Sequence, residues 1–414
     1  MRIIQITPGT GSFYCGTCLR DNALVAELRR QGHDALMVPL YLPLMVDEAP
    51  TTDDTPLFYG GVNVYLQQKS ALFRKSPGWL DRLADWLTAE QPEVVCLSNA
   101  LLVGLARRIK QRTSAAVVCT LQGEDAFLDS LPDRHRDAAW RALTERAVDV
   151  DAFIAVSHYY GDVMRRRAGL AADRVHVVPN GILLDGYGPA TVPPQPPVLG
   201  YLARLCPAKG LATLVDAYLL LRQRGHLPGL RLRVAGSMTA ADRPFVERLR
   251  ARLAAAGPGT PRREGGDDVQ FLPNLSRDEK IAFLQSLSAL SVPATYGESF
   301  GLYVIEALAA GVPVVQPRHA SFPELIEATG GGLLCEPDDP EALAVAVEEL
   351  LRDPAAARAM GARGREAVWE RFNVARMAAD MMKVFEHVVR RSGVQAPLGE
   401  RSGVGVARPE RLNA

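Results

Sequence analysis

The sequence predicts an α/β protein made of two doubly wound domains that face each other across a cleft. Three observations carry this expectation. Short β-branched runs alternate with helical stretches along the chain, an alternation that builds parallel sheets covered by helices. The stretch Val192-Pro-Pro-Gln-Pro-Pro197 is extended and cannot be helical, and after it the alternation starts again. With 414 residues, the chain is also too long for one hydrophobic core.

In the first half, Ile3–Ile6 reads as a strand, Asp21–Gln31 as a helix closed by Gly32, and Ala35–Pro39 as the next strand. Val94–Leu97, Ala116–Leu121, Phe153–Val156 and Val175–Val178 continue the sheet, with helices such as Gly78–Thr88 and Ala100–Arg112 between them. Beyond the prolines, strand Val198–Tyr201, helix Leu211–Gln223, strand Leu230–Ala235 and helix Arg243–Ala256 follow. Ala255–Asp268 is expected to be a surface loop, and Val269–Leu272, Ala289–Pro293 and Pro313–Gln316 to be strands. This gives domains at 1–192 and 198–375. The helical run from Asp353 to Arg390 is long enough to reach back across the cleft, with residues 376–390 as the returning helix. Residues 391–414 have little apolar content and are expected to be disordered.

Composition excludes several classes of function. Lys+Arg and Asp+Glu are 47 each, so no global field attracts nucleic acid. No basic region precedes a long apolar run, and no run is long enough to span a bilayer. Six cysteines with one close pair do not make a disulfide framework, so the chain reads as cytoplasmic with reduced thiols. Only six lysines are present, which makes each one conspicuous.

The densest chemistry lies in "YGESFGLYVIEALAAGVPVV", Tyr296 to Val315. A helix starting near Leu302 leaves its first-turn N–H groups for an anion, and Gly301 allows close approach of a ligand to the backbone. Glu298 lies in the preceding loop and Glu306 eight residues after it, inside the helix and about two turns on, so both carboxylates can face one ligand and accept sugar hydroxyls. Upstream, "GYLARLCPAKG" puts Arg204 and Lys209 on the loop after a strand, two cations able to neutralise a diphosphate. A phosphate between two hydroxyl acceptors describes a nucleotide-sugar well.

At this point the chain resembles the family 4 glycosyltransferases, retaining enzymes of the GT-B fold with two Rossmann-like domains. The resemblance rests on the E-x7-E before "EALAAGVPVV", the upstream R-x4-K, "VVPNGI" near the linker and the strand–glycine loop at the start, and it runs from about Met1 to Arg390. It implies a UDP- or GDP-type nucleotide-sugar donor, with no cofactor and no metal. By position, Glu298 would contact the donor sugar, helped by backbone N–H groups of Phe300, Gly301 and Leu302. Glu306 would bind the ribose, and Arg204 and Lys209 the diphosphate. The base would lie on the loop from Phe271 to Leu275, including Leu272 and Asn274. Gly11 would approach phosphate or acceptor through its backbone. The acceptor is expected to be a small molecule or a lipid-linked one.

In the first half the chain departs from the family pattern. Many relatives carry a histidine after the strand corresponding to Ala116–Leu121; here "CTLQGEDAFL" places Gln122 there. Gln122 and Asp125, with Tyr14, are candidates for acceptor contact; the Gln122–Asp125 stretch could also meet the donor sugar, and Asp125 could equally cap the next helix. Leu183 stands where an aspartate is common, and His158 and Tyr159 could line the cleft or pack in the core. The segment from Lys69 to Leu87 mixes basic residues with Phe73, Trp79 and Trp86. It fits peripheral contact with a membrane, or more simply an amphipathic helix buried on one face. A same-fold alternative is a nucleotide-sugar epimerase or a phosphorylase, although no context for a pyridoxal-bearing lysine is apparent. A non-catalytic sugar-nucleotide-binding regulator is a further reading.

A thiol oxidoreductase using Cys15 and Cys18 is another class of reading, since C-x-x-C at a helix start can activate a thiol. The pair follows Gly9-Thr10-Gly11 in a chain far larger than a thioredoxin-like domain, and it lacks the second pair of a structural zinc site. The ligand-cleft reading therefore predicts that the Cys15→Ser/Cys18→Ser protein keeps transfer or donor hydrolysis under reducing conditions, whereas Gly11→Val loses it. Dithiol-dependent disulfide reduction by the wild type, absent from the double variant, would favour the redox reading.

Overall fold

The structure, a computed structural model, describes residues 1–9, 16–42, 50–52, 55–58, 78–256 and 268–393. It contains two six-stranded sheets in which every pairing is parallel. The first sheet has the order β2-β1-β3-β4-β5-β6, from β1 (Arg2–Thr7), β2 (Asp34–Pro39), β3 (Val94–Leu97), β4 (Ala116–Leu121), β5 (Ala152–Ala155) and β6 (Val175–Val177). Both faces of its strands are buried, as a parallel sheet between helices requires. Ile3, Val94, Cys96, Val118 and Ile154 pack into one cluster, and Ile4, Ile6, Val95, Leu97, Cys119 and Phe153 into the other. This is the period of two expected of a strand.

Helix α1 (Gly16–Arg30) covers the first of these faces; α2 (Trp79–Glu90), α3 (Ala106–Arg112), α4 (Glu124–Asp129), α5 (Asp133–Ala147) and α6 (His158–Ala168) flank the opposite side. Helix α1 starts five residues before the expected Asp21, so Cys18 sits inside it, 1% exposed and 3.5 Å from the Thr7 hydroxyl. Cys15, Gly11 and Tyr14 lie outside the described residues. The expected single helix from Ala100 to Arg112 opens as a 3-10 turn over Ala100–Leu105, with the Asn99 side chain accepting from the Leu101 N–H. In α2, Leu83, Ala84 and Leu87 are buried, Trp79 meets Tyr41, and Trp86 meets Phe58. The apolar face of that helix is thus turned into the domain.

The second sheet has the order β12-β11-β10-β7-β8-β9, with β7 (Val198–Leu202), β8 (Arg231–Gly236), β9 (Val269–Pro273), β10 (Ala289–Leu290), β11 (Val314–Pro317) and β12 (Gly332–Cys335). Strand β10 is only two residues long, not the five expected; beyond it the Val292 N–H donates to the Gln316 side chain at 3.4 Å and the Pro293 carbonyl lies against Gly210 in the loop after β7. Its helices are α7 (Leu211–Arg224), α8 (Arg243–Ala255), α9 (Arg277–Gln285), α10 (Leu302–Ala309), α11 (Phe322–Thr329), α12 (Pro340–Arg352) and α13 (Pro354–Arg371). The strand order reverses between β7 and β10, and ligands of open α/β sheets bind at the carboxyl ends of the strands beside such a reversal.

The chain crosses between the two cores twice. Going out, Val178 packs in the first core and Tyr187 in the second, so the change precedes the proline stretch. Coming back, Phe372 lies in the second core and Val374 in the first. The crossings run side by side: the Ile182 N–H donates to the Phe372 carbonyl at 3.0 Å, and the Val374 N–H to the Ile182 carbonyl at 3.1 Å. A Cβ on Gly181 would lie 2.2 Å from the Asn373 carbonyl oxygen, so the approach needs glycine.

The returning helix α14 (Val374–Ser392) buries Met377, Met381, Met382, Phe385 and Val388 against α1 and the first sheet. It ends two residues beyond the expected Arg390, at a left-handed Gly393, so Arg391 and Ser392 are helical and not part of a disordered tail. Among the described residues, no helix is long and apolar enough to cross a membrane. Phe385 is fully buried, so Phe385→Ala should destabilise the first domain by about 3–5 kcal/mol in urea unfolding. A loss below about 1 kcal/mol would show that α14 is not an integral wall of that core.

Candidate active site

The loops after β7, β8, β9 and β10 form one wall of a 630 Å³ cleft, and the start of α1, Gln122 and Asn180 contribute the other. These loops interlock where only glycine fits. A Cβ on Gly210 (φ 72°) would lie 1.7 Å from the Pro293 carbonyl oxygen, and one on Gly236 (φ 141°) 1.8 Å from that of Ala203. Gly210 follows the 3-10 turn Pro207–Lys209 directly. The close approach to Pro293 thereby sets Lys209 beside the loop after β10.

Glu298 is the hub of that loop. Its Oε2 accepts from Lys209 Nζ at 2.5 Å, from the Tyr303 hydroxyl at 2.9 Å and from the Tyr296 hydroxyl at 3.1 Å. The lysine ammonium also bonds the Tyr296 hydroxyl and lies 4.9 Å and 5.4 Å from the Tyr296 and Tyr303 ring centres. Burial pushes both phenols well above their usual range and the Glu298 carboxylate adds to this, so they stay protonated donors. Three residues later Gly301 (φ 93°) starts α10, with no side chain capping its first turn.

Glu306, on α10, repeats the arrangement. Its Oε1 accepts from Lys280 Nζ at 2.9 Å and from the Tyr187 hydroxyl at 3.3 Å. Arg204 is half-exposed and pairs with Asp242 at 3.3 Å. Burial works against the Asp242 carboxylate, but bonds from Thr239 and Arg204 outweigh it and hold its pKa below the usual range. Asn274 (φ 59°) accepts from the Met238 N–H at 3.0 Å, tying the loops after β8 and β9 together.

On the first domain, Gln122 and Gly123 follow β4. Glu124, not Asp125, secures this turn. One of its oxygens accepts from the Gln122 and Gly123 N–H groups and the Tyr160 hydroxyl, the other from the Ala100 N–H at 2.7 Å. Burial raises its pKa. Asp125 makes no cap at the start of α4. The domains touch through the same β10 loop: Ser157 Oγ donates to the Ser299 carbonyl at 2.6 Å, and Ser299 Oγ to the Gln122 carbonyl at 3.1 Å. Next to this, Glu324 accepts from the backbone N–H groups of His158 and Tyr159 at the start of α6.

Two family models cover most of the chain. One, described as Glycosyltransferase Family 4, matches residues 22–185; the other, Glycosyl transferases group 1, matches residues 189–367. The chain belongs to the family 4 glycosyltransferases. This glycosyltransferase is 27% identical over 331 residues to glycogen synthase of Mycobacterium tuberculosis, covering 78% of this chain and 74% of that protein. It is 28% identical over 320 residues to the GDP-mannose-dependent alpha-(1-6)-phosphatidylinositol monomannoside mannosyltransferase of the same species, covering 72% and 75%. Among solved structures, sucrose-phosphate synthase from Thermosynechococcus elongatus superposes with a TM-score of 0.73 at 19% identity, over 94% of this chain and all of that one. Anabaena HepE in complex with UDP-glucose does so with a TM-score of 0.71 at 18% identity, over 94% and 100%. The fold is therefore GT-B.

Of the residues singled out in the sequence, Arg204, Lys209, Asn274, Glu298, Phe300, Gly301, Leu302, Glu306 and Gln122 line the glycosyltransferase cleft. Leu272 sits in β9 against the second core; Leu275 reaches the cleft instead. Sequence reasoning missed Tyr296 and Tyr303, although both stand inside the stretch that carries Glu298. It also missed Lys280, whose signal was the scarcity of lysines: two of the six, Lys209 and Lys280, meet the two cleft carboxylates. Among the described residues, no group of three His, Cys, Asp or Glu could hold a metal.

A Cβ on Gly297 would lie 2.3 Å from the Tyr159 hydroxyl, whose ring carbon is 3.4 Å away. Gly297→Ala should therefore cost about 1–3 kcal/mol in thermal or urea unfolding. Tyr159→Phe in the same chain should recover most of that loss, since it deletes only the clashing atom. Equal stability of the single and double variants would refute this close contact.

Proposed function

We propose that this glycosyltransferase moves a sugar from a UDP- or GDP-sugar to an acceptor hydroxyl with retention at the anomeric carbon and without a metal ion. The observation that carries the reading is the placement of two lysine–carboxylate pairs, Lys209–Glu298 and Lys280–Glu306, beside the strand reversal of the second sheet. Glu306 and Lys280 suit the ribose end of a nucleotide. Lys209, Arg204 and the open first turn of α10 suit its diphosphate. Glu298 suits the hydroxyls of the transferred sugar. HepE was crystallised with UDP-glucose, and the mycobacterial mannosyltransferase is named for GDP-mannose, which supports these two nucleotides as first candidates.

In the reaction, the bond between the anomeric carbon and the diphosphate oxygen breaks, and a bond to the acceptor oxygen forms on the same face. The acceptor proton passes to the departing phosphate oxygen. Negative charge grows on the diphosphate, and Lys209, Arg204 and the α10 N–H groups are aligned to stabilise it before it develops. The contact of the two domains at Ser299 keeps water from one side of this region and makes each such charge interaction stronger.

Two measurements test the reading. UDP or GDP at about a hundred times its dissociation constant should stabilise the protein by about 2.7 kcal/mol in a thermal melt. Glu298→Gln and Lys209→Ala should stay folded by far-UV circular dichroism and melt somewhat lower than the wild type, because each breaks the Lys209–Glu298 pair. Both should lose about a hundredfold or more in transfer at saturating donor. Near-normal turnover in either variant would refute the assignment of the donor site.

A further inference from the structure

Gln122 and Asn180 line the first-domain side of the cleft, and their Nε2 and Oδ1 atoms are buried without a hydrogen-bond partner among the described residues; Asp125 Oδ1, on the turn that Gln122 begins, is buried and unpartnered in the same way. Asn180 is 3% exposed and lines the same cavity as Gln122. Asp125 lies three residues beyond Gln122, close enough to Tyr296 of the opposite wall for its charge to help keep that phenol protonated. Three neighbouring polar side chains are partnered: Glu124 accepts four bonds, and Ser157 and Ser299 each donate one across the domains. Orphaned atoms of this kind are uncommon in a folded interior; nine others lie elsewhere among the described residues, but at the wall of a cleft a ligand or water can complete the bonding.

The three atoms have a definite chemical demand. Two accept and one donates, so their ligand must give at least two protons and offer one lone pair. A pair of neighbouring hydroxyls does both. A carboxylate or a fully ionised phosphate gives no proton, and either anion is repelled by the Asp125 carboxylate. Resting on the glycosyl-transfer reading above, we infer that the part of the acceptor entering between the domains is an uncharged, hydroxyl-rich group, a sugar ring or polyol, with no anionic substituent beside the hydroxyl that accepts the sugar. Asp125 and Asn180 take its protons and Gln122 donates to one of its oxygens. Asn180, in the outgoing crossing, is the residue of this set that the sequence did not single out as a site.

Saturation-transfer NMR on the full chain tests this, after calorimetry has established binding of UDP or GDP. The probes are methyl glucoside and myo-inositol against methyl glucuronide, which differs from the first by one carboxylate. With nucleotide present, the neutral rings should receive saturation at least fivefold more strongly than methyl glucuronide. Asp125→Asn should narrow that ratio to below twofold while nucleotide affinity is kept. Asn180→Ala should weaken binding of the neutral rings about tenfold; if that variant does not fold, Gln122→Ala serves in its place. Equal signals from methyl glucuronide and methyl glucoside, no signal from any neutral ring, or an unchanged ratio in Asp125→Asn would each overturn the proposal in a protein that binds nucleotide. Failure to bind either nucleotide is read separately by the calorimetry and refutes the donor reading instead.

Discussion

The carboxylate of Glu298 is the point on which the rest of the cleft depends. A nearly buried carboxylate is tolerable only when its charge is met, and here one ammonium and two phenols meet a single oxygen. Those three partners come from separate places: Lys209 from the loop after β7, Tyr296 from the loop after β10, and Tyr303 from the first turn of α10. Fixing Glu298 therefore fixes the relative positions of all three. The backbone approach of Gly210 to Pro293 supplies the same constraint without charge, and the two act on the same pair of loops.

The loop that carries Glu298 also carries the contact between domains. Ser299 bonds Ser157 and Gln122, and Gly297 lies under the Tyr159 hydroxyl. A change in how the domains meet is thus felt one residue from the candidate donor-sugar contact. The cleft cations are all matched: Lys209 with Glu298, Lys280 with Glu306 and Arg204 with Asp242. An arriving diphosphate does not find bare positive charge. On the proposed donor reading it would exchange partners with carboxylates already in place, which would disfavour anions unable to use the carboxylates through hydroxyls of their own.

Much of this was legible in the sequence, for identifiable reasons. The strands were visible because both faces of each parallel sheet are buried, so Val94–Leu97 and Ala116–Leu121 read as unbroken apolar runs. The E-x7-E spacing survived because it is local to one loop and one helix. What escaped depends on distant partners. Nothing in "QGEDAF" tells Glu124 from Asp125; the difference is made by Ala100 and Tyr160, which only the fold brings near. Tyr187 was unremarkable until the outgoing crossing placed it against Glu306. The short β10 escaped because Val292 and Pro293 are as apolar as a strand, while their partners outside the ladder, Gln316 and Gly210, are distant in sequence.

The returning helix makes the first domain discontinuous along the chain. Ile3, Leu24, Val94 and Ile154 are covered by Met377, Met381 and Phe385, which a ribosome makes last. Roughly 180 residues of the second domain are synthesised in between, a delay on the order of 10–40 s at ~5–20 residues per second. During that interval one apolar face of the first sheet has α1 but lacks the rest of its native cover, the returning helix. The second domain, contiguous from Val198 to Phe372, is under no such constraint and can close its own core first. The order of synthesis therefore lets the second core be completed before the first, whose last wall is made only after the second domain.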